Sequence, residues 1–163
     1  MNTEQLISEL PNGLIGWYPF EKDKKALYII DNARAFLPFV EVLESRQLDV
    51  DVLTSGNLES QTQARTNRLY DYIVIALALE KSRNPQVLLS MFKNMLTNDG
   101  KLLAVVNNRF GIRYFCGDKD VYTRHVLDSI DDYSKVSAKR KEEIGGRAYD
   151  KAQWKHMLME AGF

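Results

Sequence analysis

A chain of 163 residues has the length of one domain and enough chain to bury a core of its own. Its 22 basic and 22 acidic residues cancel, which removes the electrostatic case for nucleic acid or an anionic membrane as main partner. One cysteine and two histidines exclude an intrachain disulfide and a cysteine-rich or histidine-rich metal site, and a free thiol fits a reducing, cytoplasmic compartment.

No apolar run approaches the roughly 18 residues of a membrane span. The opening MNTEQLISEL is polar and acidic, unlike a secretory leader. Thr3 to Leu10 reads as a short amphipathic helix capped by Thr3, stopped by Pro11-Asn12-Gly13. Leu14 to Phe20, LIGWYPF, is expected to cover one end of a sheet, with Trp17 and Tyr18 in the core. Ala26 to Ile30 reads as a first strand and Asp31-Asn32-Ala33-Arg34 as the turn after it. Ala35 to Ser45 is a helix with Phe36, Phe39, Val40 and Leu43 at helical spacing and Pro38 in its first turn or so. Leu48 to Leu53 is a second strand, Thr54 to Leu69 loop with a weak helix, and Asp71 to Leu79 the most apolar strand.

Asn84-Pro85 opens a helix over Gln86 to Leu96, with Val87, Leu88, Met91, Phe92 and Met95 expected inside. A turn at Thr97-Asn98-Asp99-Gly100 leads into a strand from Lys101 to Val106. Strands alternating with helices predict a mainly parallel sheet with right-handed crossovers. The polar stretch after Gly117 reads as loop and short helix packed over the carboxyl edge of the sheet. Asp150 caps a last helix from Lys151 to Ala161, with Trp154, Met157 and Leu158 facing inward. The chain stops at Phe163, where an α/β domain would normally enter another strand, so a shortened domain is expected.

The stretch from Gly100 to Gly117 carries the first site hypothesis. Its apolar run ends abruptly in Asn107-Asn108-Arg109, and open α/β sheets bind ligands beyond the carboxyl ends of their strands. Arg109 and Arg113 are of a type that clamps phosphate or carboxylate bidentately. Against this stands a plainer reading: the two asparagines turn the chain, and the arginines make surface pairs. Asp118 and Asp120 are either a general base or solvated loop acids. Cys116 is read as an inert buried thiol, with no histidine near it in sequence. Lys139 to Glu143 is read as a solvated helix face.

Four segments together resemble the class I S-adenosylmethionine-dependent methyltransferases, in particular a bacterial branch associated with cell-surface polysaccharide enzymes. They are WYPF at Trp17 to Phe20, YDYIVIALALE at Tyr70 to Glu80, the stretch from Asn84 to Gly117 ending NRFGIRYFCG, and GGRAYDKAQW…EAGF from Gly145 to Phe163. The resemblance implies a Rossmann-like α/β fold, a mainly parallel sheet with helices on both faces, over residues 1–163 as a single domain. It is shortened, with the third strand and the C-terminal strands missing. It implies S-adenosylmethionine as cofactor, with Asp31, Asn32 and Thr54 as the residues nearest to it. Asn107, Asn108, Arg109, Arg113 and Tyr114 would stand on the acceptor side.

The cofactor apparatus departs from the family pattern. Where the family has an acid followed by three glycines, this chain, aligned on Leu27, has Tyr28 for the acid and Ile30, Asn32 and Arg34 for the glycines. Glycines there let the backbone approach the ligand. The acid that ends the second strand and holds the ribose is Thr54 here, and only about fifteen residues are left for a further helix, strand and adenine-reading acid. The reading is a methyltransferase-like pseudoenzyme that has lost or greatly weakened cofactor binding. It would act as a structural or interaction module in cell-surface glycan assembly, as a homodimer or beside a glycosyltransferase. The alternative is an active methyltransferase on a sugar or other small polar acceptor. A phospho-receiver reading of the first half lacks its acceptor aspartate, whose place falls near Ala76, and no G-x-G-x-x-G follows any strand.

Overall fold

The computed structural model describes residues 13–31, 38–54, 58–65 and 67–163. The expected helix from Thr3 to Leu10, Phe36, and the turn residues Asn32 and Arg34 lie outside them. Four strands form one sheet: β1 (Lys25–Ile30), β2 (Asp49–Thr54), β3 (Tyr70–Ala76) and β4 (Leu96–Val105). Their order is β2-β1-β3-β4 and every neighbouring pair is parallel. The helices are α1 (Pro38–Ser45), α2 (Leu58–Gln63), α3 (Pro85–Met95), α4 (Ile112–Phe115), α5 (Ala138–Glu143) and α6 (Lys151–Glu160), with a 3-10 turn at Leu79–Lys81. This is the shortened Rossmann-like methyltransferase architecture expected from the sequence.

The described chain divides into two compact units, one of residues 1–78 and 91–105, the other of residues 79–90 and 106–163. The first holds the sheet. β1 and β3 lie between two neighbours each and are buried on both faces, which is why both read as unbroken apolar runs. On one face Ala26, Tyr28 and Ile30 line up beside Tyr72, Val74 and Ala76, against Phe39 and Leu43 of α1 and Ile15. On the other, Leu27, Ile29, Ile73 and Ile75 are wholly buried. α1 starts at Pro38, where a missing N–H costs nothing. It closes with Gln47 in the left-handed region at φ 63°, the Leu48 N–H reaching back to the Leu43 carbonyl.

Several expectations need correction. Tyr18 and Phe20 pack edge-on against Tyr72, but Trp17 is 73% exposed and only bonds its indole to the Leu14 carbonyl. β3 ends at Ala76, not Leu79, because Leu77 turns into the left-handed region at φ 53°. Val87 lies on the exposed side of α3, whose buried positions include Leu88, Leu89, Phe92 and Met95. The turn at Thr97–Gly100 is a bulge within β4: Tyr70 pairs with Leu96 and Tyr72 with Lys101, so four residues of β4 face Asp71 alone.

In the second unit, Asp150 caps α6 with a complete capping box, its carboxylate accepting from Gln153 N–H and the Gln153 side chain accepting from Asp150 N–H. Trp154 is buried, while Met157 and Leu158 are half-buried. Cys116 is exposed, because α4 ends there and Gly117 turns away at φ 91°. Asp120 is fully buried rather than solvated.

Candidate functional site

The sheet order marks one place where ligands gather in such folds. The chain moves outward from β1 to β2, then returns across β1 to β3, so the carboxyl ends of β1 and β3 bound a topological switch point. Tyr28 sits in β1 with no exposure, its ring 5.9 Å from that of Phe39, and burial pushes its phenol well above the usual tyrosine range. Ile30 is buried beside it in the same cluster. Asp31 is half-buried and its N–H donates to the Ala76 carbonyl at 3.3 Å, so β1 and β3 stay bonded one residue past the end of β1. Thr54 is exposed at the end of β2, and Asn32 lies outside the described residues.

Asp51 in β2 is committed to structure. It accepts from the Tyr70 hydroxyl at 2.7 Å and from the Arg68 guanidinium at 3.0 Å, and these bonds, that of Tyr70 foremost, hold its carboxyl below the usual aspartate range. Burial and that same carboxylate push the Tyr70 phenol up to about 12.

The second unit builds its interior from polar groups. Glu80, in the 3-10 turn that follows β3, is fully buried and accepts the Asn107 N–H at 2.5 Å. The Asn107 amide donates to the Tyr122 hydroxyl at 3.3 Å, and burial, with Glu80 nearby, raises that phenol strongly. Asn108 accepts the Phe110 N–H at 3.0 Å and bridges to Tyr149, so it turns the chain. Arg109 is 13% exposed; its guanidinium meets Asp132 at 2.8 Å and Asp150 at 3.1 Å. Asp132 also receives Arg147 at 2.6 Å, so one carboxylate joins two guanidiniums. Arg113 pairs with Asp118 at 3.4 Å on the surface, and its guanidinium lies 5.0 Å from the Tyr114 ring centre. Tyr114 is buried, and burial raises its phenol. The structure thus gathers Asn107, Asn108 and Arg109 in one bonded network, with Arg113 at the surface.

Asp120 organises the loop after α4. One carboxylate oxygen accepts the N–H groups of Tyr122 and Thr123, both at 2.8 Å. The other accepts the Tyr133 hydroxyl at 3.0 Å, and that hydroxyl accepts the Ala148 N–H at 2.8 Å. Every bond of this carboxylate is made within residues 120–133, so Asp120 holds the loop together.

Beside this network lies a cavity of about 690 Å³, lined by Glu80 to Arg83, Lys141, Glu143 to Arg147, Tyr133 and Tyr149. Gly146 is held at φ 152°, where a Cβ would stand 2.6 Å from the Glu80 carbonyl and 2.7 Å from the Tyr122 ring. Only glycine fits there. Sequence reasoning did not single out Glu80, Tyr133 or Arg147; the available cues were a carboxylate at the end of an apolar run and the Gly145-Gly146 pair. Among the described residues no group of three or more His, Cys, Asp or Glu side chains is placed to hold a metal ion, and no helix is long and apolar enough to cross a membrane.

No protein-family model matches the chain, and no curated protein matches it by sequence. Solved structures do match. A chain of the complex between the Haloferax volcanii Trm112 methyltransferase activator and the putative methyltransferase superposes with a TM-score of 0.60 at 11% identity, over 98% of this chain and 70% of that one. Mycolic acid cyclopropane synthase CmaA1, solved with SAH and CTAB, superposes with 0.61 at 15% identity, over 100% and 62%. A putative methyltransferase from Bacillus halodurans superposes with 0.55 at 20% identity, over 94% and 65%. This chain therefore spans 62 to 70% of the length of these proteins. At such identities the likeness is one of backbone: the chain carries a class I methyltransferase-like fold.

Proposed function

We propose that this chain is a methyltransferase-like domain that has lost the use of S-adenosylmethionine and serves as a structural or interaction module. The observation that carries the reading is the filling of β1. At the position of the family's acid stands Tyr28, wholly buried on Phe39, and at that of its first glycine stands Ile30, buried in the same cluster. A ligand cradle needs bare backbone there, and a carboxylate to receive the donor's amino group. These residues do not fit that group. Asp51 offers no replacement for the ribose acid, since Tyr70 and Arg68 already occupy it.

The module's working surface is its sheet edge. β2 and β4 are the outer strands of the described sheet, and β4 leaves Leu102, Leu103 and Val105 only half-buried. An open edge of that kind pairs readily with another chain. A second copy, or a neighbouring enzyme of glycan assembly such as a glycosyltransferase, would complete it. Isothermal titration with S-adenosylmethionine and S-adenosylhomocysteine tests the reading: no saturable heat is expected, and micromolar binding of either overturns it. Light scattering tests the module: a chain that stays monomeric at high concentration argues against self-pairing.

The second reading, an active methyltransferase on a sugar or other small polar acceptor, draws on the cavity of the second unit, which is large enough for such a molecule and lined with polar groups. Transfer of a labelled methyl group to any acceptor by the purified chain would establish it.

A further inference from the structure

We propose that the cavity beside Gly145-Gly146 binds a small molecule carrying a phosphomonoester. The inference concerns the second unit alone and does not depend on whether the methyl donor binds.

The charges on the cavity wall point to an anion. Lys81, Arg83, Lys141 and Arg147 stand against Glu80 and Glu143, a surplus of two positive charges in the lining. Among the described residues neither Arg83 nor Lys141 has an ion-pair partner, and both line the cavity. Glu80 turns one carboxylate oxygen to the Asn107 N–H. Two cations without ion-pair partners in one cavity lining suit a dianion, and a phosphomonoester is one near neutral pH.

The cavity also has a third, rigid cation. The Arg147 guanidinium is pinned by Asp132 and lies 5.2 Å from the Tyr133 ring centre and 5.0 Å from that of Tyr149. Its Nε is buried and has no hydrogen-bond partner among the described residues. A guanidinium fixed in this way loses little freedom on meeting a phosphate oxygen. The two phenol rings beside it provide apolar faces for the rest of the ligand. A space of about 690 Å³ is the size of a small-molecule pocket and far exceeds one phosphate ion. Gly145 and Gly146 both line it. Gly146 is required by its backbone, whereas a Cβ at Gly145 meets no heavy atom within 4 Å, so a larger side chain can be placed at that lining position without a clash.

The test titrates the full-length, 15N-labelled chain with phenyl phosphate, with inorganic phosphate and with phenol, following amide shifts. Phenyl phosphate is expected to give saturable shifts at Gly145, Gly146 and Arg147, inorganic phosphate weaker binding at the same amides, and phenol none. The double variant Arg83→Gln with Lys141→Gln is expected to weaken phenyl phosphate at least tenfold. Lys155→Gln, which removes one exposed charge from α6, is expected to leave it unchanged. Gly145→Leu is expected to abolish binding while its spectrum elsewhere stays that of the parent chain. The proposal is overturned by shifts that do not saturate, by phenol binding as well as phenyl phosphate, by inorganic phosphate binding as tightly as the ester, by equal losses in Lys155→Gln, or by undiminished binding in Gly145→Leu.

Discussion

The carboxyl end of β1 and the interior of the second unit answer the same problem in opposite ways. At β1 the chain fills the space with Tyr28, Ile30 and Phe39, an apolar cluster that stabilises by removing surface from water. In the second unit it buries Glu80, Asp120 and most of Arg109, and holds them with hydrogen bonds and ion pairs. Such groups cost several kcal/mol when left unpaired, so their partners must be exact in place. The first region is closed as apolar core. The second spends its polar groups on geometry, and that geometry leaves a cavity. A family likeness in backbone therefore says little about where a given chain keeps its chemistry.

The largest expected effect breaks the apolar side of the comparison. Phe39→Ala removes a wholly buried ring from against Tyr28, and urea unfolding should register a loss of about 3–5 kcal/mol. If the cost were near zero, β1 would not be closed by packing. On the polar side, Arg109→Met removes the partner of Asp150 Oδ2 and weakens the hold on Asp132. Removing one partner of a buried pair costs about 3–5 kcal/mol, and the exposure of Asp132 lowers the expectation to about 2–3 kcal/mol. The same melt measures it, and a neutral result would mean that the network is ornamental.

Alkaline titration sharpens the contrast within the sheet. Tyr70 is raised from 10.0 to about 12, first by burial and then by its bond to Asp51. The folded state holds this proton more tightly than the unfolded chain does. Its stabilising contribution is thus whole below pH 10 and lost as pH rises toward 12. Tyr70→Phe should remove that part of the alkaline loss; an unchanged pH profile would dissociate Tyr70 from it. The smallest effect is at the end of α1. Gln47 occupies a left-handed conformation that glycine adopts without strain, so Gln47→Gly should raise stability by about 0.5–1 kcal/mol. A loss instead would show that the Gln47 side chain contributes something the backbone geometry does not.

Strands and caps were legible because their signals are local. The run ALYII and the Asp150 cap depend on neighbours a few residues away and are found where the sequence placed them, while the strand read as Asp71 to Leu79 is found but stops at Ala76. Trp17 and Val87 were misread because an apolar side chain is taken as buried until the packing shows which face is covered, and theirs are not. Cys116 was misread in the same sense, and Asp120 in the opposite one. A loop aspartate is normally solvated, and only Tyr133, thirteen residues on, together with the turn at Tyr122 and Thr123 makes burial affordable.

By itself the sequence determined the alternation of strand and helix and the parallel sheet that follows from it. Tertiary structure decided which polar groups are inside: Glu80 met Asn107, Arg109 met Asp132 and Asp150, and Gly146 came against Tyr122. The reason is physical. Apolar periodicity is written along the chain, whereas the partner that makes a buried charge tolerable comes from a distant segment and exists only once the chain has folded.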